Sequence, residues 1–149
     1  MSIKAVATRL VLIQKGIDGV RRAYDLDNMP NKLQASLLPA VVNFPGETTY
    51  GWGVAGDIIE TRVWHMRLYV TPAQMPIDAA KKAARIEPFF RRFVVAFADA
   101  QQLNDLGDVQ WAWIGEDGGL IAMQYADEWF AGIEFRLTVK ETWNTTVST

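Results

Sequence analysis

The chain contains one histidine, His65, and no cysteine, so it is poor in the side chains that most often serve as general base or thiolate nucleophile. His65 lies inside IIETRVWHMRLYV, between Asp57 and Val70, a run whose β-branched and aromatic residues predict a strand rather than a cleft loop. A metal site built on one histidine would need carboxylates gathered round it, and the sequence groups none there. Three carboxylate pairs, Asp57 with Glu60, Glu116 with Asp117, and Asp127 with Glu128, could in principle divide acid and base roles. Each falls at a turn or strand margin, where solvated carboxylates are the ordinary case. No catalytic residue, metal or cofactor is assigned, and the chain reads as a protein that works by contact rather than as an enzyme.

Two glycine motifs imitate binding loops. Gly51-Trp52-Gly53-Val54-Ala55-Gly56 matches G-x-G-x-x-G, but polar GETTY precedes it and β-branched IIETRV follows. A dinucleotide site needs a buried strand before the motif and a helix after it. Gly16-Ile17-Asp18-Gly19 imitates the GXXG clamp of nucleic-acid modules, with Lys15, Arg21 and Arg22 beside it. An apolar stripe runs through these glycines, which instead suit close packing or an early helix end. Asn144-Thr145-Thr146 matches a glycosylation sequon, which carries no meaning without a secretion signal.

The 149 residues, half of them apolar, suffice for one domain with a real core. Fifteen basic against seventeen acidic residues give a net charge of −2, so no strong field gathers nucleic acid or an anionic membrane. The early apolar stretch is interrupted by Arg9 and followed by no A-x-A site, so a signal peptide is not expected. No run approaches ~18 apolar residues, so no membrane span is expected and the chain reads as soluble.

The elements that must position these residues follow from periodicity. Ile3, Val6, Leu10, Ile13, Ile17, Val20 and Tyr24 alternate by three and four, which predicts one amphipathic helix with Ser2 as N-cap. Residues 37–44 read as a short strand between Pro39 and Pro45, and 46–57 as a mobile loop or hairpin arm. On the strand carrying His65, Trp64, Met66, Leu68 and Val70 share one face, and His65, Arg67 and Tyr69 the other. His65 and Arg67 then point to solvent or a partner. A helical stretch from Asp78 to about Gln102, broken near Pro88 and ended by Gly107, has Ile77, Ala80, Ala84, Phe90, Phe93, Val94 and Phe97 on its dry side. Residues 109–125 read as a hairpin turning at Glu116-Asp117-Gly118-Gly119. GIEFRLTVK is the clearest strand, and the tail 143–149 is expected to fray. The sum is an α+β fold, a mostly antiparallel sheet with an N-terminal amphipathic helix and a second central helix packed on one face.

Six Trp, seven Phe and four Tyr exceed what the predicted core positions can hide. Trp111 and Trp113 share a strand face, while Tyr50, Trp52, Trp129, Phe130 and Trp143 fall in loops or near strand ends. Large aromatics left at a surface mark an interface. The candidate contact residues are Tyr50, Trp52, Val54 and Asp57 on the arm, His65 and Arg67 on the open strand face, and Trp129 and Phe130.

Taken together, the first helix, LLPAVVNFPGETTY, TRVWHMRLYVTP, IEPFFRRFVVAF and the closing YADEWFAGIEFRLTVKE resemble the tail terminator (tail completion) proteins of long-tailed bacteriophages across nearly the whole chain. The resemblance rests on element order and on segments such as RLYV-x-P, EPFF and Y-x6-GIEFRLTV. It implies a virion protein at the head–tail junction, assembled in the host cytoplasm. Such a protein forms a homo-oligomeric, hexameric ring that caps the finished tail tube and meets a head-side connector or stopper protein. DNA passes through the lumen of such a ring without specific binding. Edge strands and the first helix would join neighbouring subunits, and the arm would meet the tube or the next ring. Two other classes remain: another neck component, such as a stopper or head-completion protein, or a small-ligand-binding or hydrolytic α+β domain, which would need a convergent polar set.

Overall fold

The strictest alternation in the chain builds one of the inner strands of its sheet. Ile133, Phe135, Leu137 and Val139 are buried on one side of β5 (Glu128–Asn144), and Glu134, Arg136, Thr138 and Lys140 stand on the other. The computed structural model describes residues 3–74 and 79–144. Their remaining elements are α1 (Ile3–Lys15), β1 (Arg22–Tyr24), β2 (Ala40–Trp52), β3 (Asp57–Pro72), α2 (Ala79–Ile86), α3 (Pro88–Ala98) and β4 (Val109–Tyr125). The five strands form one sheet in the order β1-β2-β3-β5-β4, antiparallel except where β1 runs beside β2. This is the expected α+β architecture. Ser2, Pro76, Ile77, Asp78, Thr145 and Thr146, to which the sequence reading gave roles, lie outside the described residues.

The helices cover one face of the sheet. Val6, Ala7 and Leu10 of α1, Ile86 of α2 and Phe89, Phe93 and Phe97 of α3 join Trp64, Met66, Leu68, Phe135 and Leu137 in the main core. Phe93 lies flat on Phe135, with ring centroids 4.5 Å apart. A buried polar pair anchors the end of α1. Gln14 Nε2 donates to Asn43 Oδ1 at 2.6 Å, and Asn43 Nδ2 returns a bond to Gln14 Oε1 at 2.8 Å. A smaller core sits on the opposite face, where Leu33 and Leu38 cover Ala40, Val42, Tyr69, Met123 and Phe130.

Several expectations are corrected. The first helix stops at Lys15 instead of reaching Tyr24, which lies on β1. The end tightens first, with the Gly16 and Ile17 N–H groups donating to the Ile13 and Gln14 carbonyls, and Gly19 at φ +92° then turns the chain away so that no helix resumes toward Tyr24; a Cβ on Gly19 would stand 2.9 Å from the Phe89 ring. The strand expected from residue 37 begins at Ala40, after a 3-10 turn at Ala35–Leu37. On α3 it is Phe89 that is buried, whereas Val94 is exposed. The expected break at Pro88 separates α2 from α3, because proline cannot donate into the preceding turn.

Residues 116–119 do not turn. β4 runs straight through them along β5, gaining one extra residue between Ile114 and Glu116 and another between Asp117 and Leu120. The chain reverses instead at Ala126 and Asp127, both at positive φ, the two-residue geometry of a tight hairpin. Trp143 and Asn144, expected to fray, pair with Ile58 and Asp57.

Strand and helix lengths do not match. β3 has 16 residues, which at about 3.3 Å per residue is roughly 50 Å. α1 has 13, which at about 1.5 Å per residue is roughly 20 Å. The helical layer therefore stops short of one end of the sheet.

Gly132 marks the tightest packing of the sheet, since a Cβ there would collide with the Leu68 carbonyl. Gly132→Ala should lower stability in urea by roughly 2–3 kcal/mol. An unchanged midpoint would show that β3 and β5 are not packed as described.

Candidate interaction site

The end of the sheet beyond the helices is the arm. After an irregularity between Pro45 and Thr48, β2 continues to Trp52, pairing Thr48 with Arg62, Tyr50 with Glu60 and Trp52 with Ile58. Residues 46–52 are thus strand, and the segment is a hairpin arm rather than a loop. At the tip, Gly53 N–H donates to the Asp57 carbonyl at 2.7 Å, and Ala55 and Gly56 both take positive φ. No helix follows the G-x-G-x-x-G glycines, so the tip offers no helix N-terminus to a phosphate. Register fixes which residues share a face. Trp52, Ile58 and Trp143 form one row across three strands, and Tyr50, Glu60 and Glu141 form the next. These rows continue the core face of the sheet beyond the helices. Tyr50 is 64% exposed, Trp52 77% and Val54, at the tip, 88%. Asp57 is half-buried at the base of the tip.

The second row holds a group that the sequence did not disclose. Glu60 and Glu141 face each other across β3 and β5, and both are buried. Arg62 Nη2 binds Glu60 Oε1 at 3.1 Å, while Glu141 Oε1 has no hydrogen-bond partner. Burial and then the neighbouring Glu60 push the Glu141 carboxyl up to about 7, so it holds a proton well above the ordinary glutamate range. Of the pairs picked out by sequence, Asp57 and Glu60 alternate to opposite faces, Glu116 binds Arg136, and Asp117 accepts the Gly119 N–H at 2.9 Å.

His65 and Arg67 lie on the face away from the helices, where both are committed to Glu134. His65 Nδ1 is 3.0 Å from Glu134 Oε1, and Arg67 Nε donates to Oε2 at 2.8 Å. Arg136 approaches the same carboxylate at 3.5 Å and donates to Glu116 at 2.6 Å. Burial alone would raise the Glu134 carboxyl. The hydrogen bonds from His65 and Arg67, with their charges, outweigh it and hold the group below its ordinary value. The Arg67 guanidinium also lies 5.0 Å from the centre of the Phe44 ring. On its other side the His65 ring closes on Gly46, where a Cβ would stand 2.6 Å from Nε2. This cluster pins β2, β3, β5 and β4 together. Beside it lies an open groove of about 460 Å³ floored by Val63, His65, Arg136 and Thr138.

The remaining candidates separate. Tyr69, expected on the same open face as His65, is fully buried because Leu33 and Leu38 cover that end of the sheet. Phe130 is 1% exposed and meets Tyr69 edge-on at 5.6 Å, so it is core and offers no contact surface. Its neighbour Trp129 is exposed. Trp111 and Trp113 stack at 3.9 Å on the outermost strand, with Trp111 open to solvent. Among the described residues no helix is long and apolar enough to cross a membrane, and no group of three or more His, Asp or Glu stands at metal-binding spacing. No family model matches the chain, and no curated protein matches its sequence.

The Glu141 proton makes stability depend on pH with a definite sign. The folded carboxyl is raised from its ordinary 4.5 to about 7, so the native state binds more protons between those values. Its stabilising contribution is complete below pH 4.5 and declines as pH rises to about 7. Glu141→Gln should remove this decline and be more stable than wild type at pH 8 by roughly 1–2 kcal/mol. Urea titrations of both proteins across pH 4–8 measure the difference; parallel curves would mean that the two carboxylates do not share a buried site.

Proposed function

We propose that this chain is a structural subunit of a phage virion, of the tail-terminator kind. It closes into a ring of six copies, caps the tail tube at its final length and offers its other face to the head-side connector. The observation that carries the reading is the arm, a three-strand extension whose row of Trp52, Ile58 and Trp143 leaves the helical layer and ends in exposed Tyr50, Trp52 and Val54. An isolated soluble domain gains nothing from such a surface, whereas a partner that covers it gains the burial energy of large aromatic rings. The sheet margins support the same reading. β1 pairs only with Ala40, Val41 and Val42, leaving the next ten residues of β2 at an edge, and β4 forms the edge on the far side. Two different edges on one subunit suit head-to-tail contacts that close on rotation. The resemblance in element order supplies the phage context, and the commitment of His65 to Glu134 favours a supporting role for it over acid–base chemistry.

Native mass spectrometry and negative-stain images, with and without purified tail tubes, test the proposal. A closed hexamer is expected, free or on tube ends. Trp52→Ala should keep the wild-type melting temperature and weaken assembly by roughly tenfold or more. Protein that stays monomeric with tubes present would contradict the reading, and a fall in melting temperature would make Trp52 a core residue.

A further inference from the structure

A hollow at the β4 edge of the sheet combines an aromatic wall with a dense set of polar side chains. It lies between the end of α3 and the first residues of β4 and holds about 360 Å³, within the range of small-molecule sites. Trp111 forms one wall. The side-chain amides of Gln101, Gln102, Asn104 and Gln110 and the carboxylates of Asp99 and Asp105 form most of the rest, all of them exposed. Trp111 is held in place by stacking on Trp113 at 3.9 Å. The turn that carries Asn104 and Asp105 is strained. Leu103, Asn104 and Asp105 take φ of +49°, +57° and +60° in succession, a conformation that L residues avoid and that persists only where the surroundings impose it. Here they do so through the buried Leu103 side chain, through the Gln101 carbonyl, which accepts the Ala112 N–H of β4, and through Arg9 Nη1 of α1, which donates to the Leu103 and Asn104 carbonyls at 2.8 Å each. Backbone strain held in this way gathers at ligand sites.

We propose that this hollow binds a saccharide, with the C–H face of one sugar ring on the Trp111 indole and the ring hydroxyls on the amides and carboxylates around it. The lining selects this class of ligand. It contains no lysine or arginine, so it does not match phosphate, nucleic acid or an acidic peptide. Apart from Trp111 and two alanines it is polar, so it does not match an apolar side chain. Among the described residues no group of three or more metal ligands stands there. An organic cation would use the carboxylates and the indole but leave the N–H donors of four amides unused. Arg9 on the turn carbonyls and Lys140, opposite Trp111 on β5, also supply positive charge already. A hydroxyl both donates and accepts, as a side-chain amide does, and neighbouring hydroxyls can share one carboxylate, so a polyol employs every polar group in the lining. The stacked indole adds a flat apolar face that has little freedom left to lose on binding. The site does not depend on assembly of the chain into a ring.

Isothermal titration calorimetry and saturation-transfer NMR on the full chain test it, with maltotriose, chitotriose, mannotriose and galactotriose as probes and spermidine and inorganic phosphate as controls. At least one saccharide should bind. Trp111→Ala should weaken that binding by roughly tenfold or more, while Trp111→Tyr, which keeps a stacking face, retains most of the affinity. Gln102→Ala with Gln110→Ala changes only exposed side chains, so it should leave the melting temperature unchanged and weaken binding by roughly tenfold. That double variant decides the matter if Trp111→Ala does not fold. Equal binding of the matching monosaccharide would make the ligand a free sugar, and affinity that rises with chain length would make it a glycan; both outcomes uphold the site. Absence of binding to every saccharide at about 10 mM, binding that neither Trp111→Ala nor the double variant weakens, or tighter binding of spermidine or phosphate would overturn the assignment.

Discussion

The antiparallel pairing of β3 with β5 is the constraint on which the rest depends. It keeps one register from Asp57 opposite Asn144 to Tyr69 opposite Gly132 and shifts by a single residue before Thr71 meets Ala131, so one alignment decides what lies on each face along most of these two strands. Midway, that register sends Trp64, Met66, Leu68, Phe135 and Leu137 under the helices and sets His65 and Arg67 beside Glu134 on the reverse. A slip of one residue would exchange these sets. At one end the same register brings Glu60 against Glu141, and at the very tip Trp52, Ile58 and Trp143 into a row.

Helix length then converts a folding constraint into a surface. Three helices of 13, 8 and 11 residues cannot roof strands of 16 and 17. The uncovered part could have been polar and inert. It carries instead a buried acid pair and large exposed rings, and the proton on Glu141 spares the pair from holding two charges side by side. The polar cluster on the reverse face has the opposite character. Its acid is fully matched by His65, Arg67 and Arg136, which gives stiffness to the strands that carry the arm.

Strongly periodic segments were legible from the residues alone. GIEFRLTVK alternates without exception, the strand around His65 does so over most of its length, and Pro88 divides the central helices as proline chemistry requires. The failures share a cause. Ile17, Val20 and Tyr24 keep helical spacing, yet the helix ends at Lys15 and the turn through Gly19 packs against Phe89 of α3. Glu116-Asp117-Gly118-Gly119 has the composition of a turn, yet pairing with β5 draws it into a bulged strand, and the reversal falls at Ala126-Asp127, a weaker signal. In both, long-range packing overrode a local preference. The pairs Glu60 with Glu141 and Gln14 with Asn43 could not be read locally, because each joins residues far apart in the chain. The exposed arm aromatics were visible as a surplus of large rings without core positions, while Phe130 belonged to a second core that only the fold of residues 25–39 creates.

The central claim is that this protein's binding energy is made on the surface its helices leave uncovered. Amide hydrogen exchange, comparing the free chain with the chain assembled on tail-tube ends, tests it most directly. The account predicts new protection at residues 46–60 on assembly, with the strands beneath the helices unchanged. Unchanged exchange in the arm, with protection gained around the His65 and Arg136 groove instead, would contradict it.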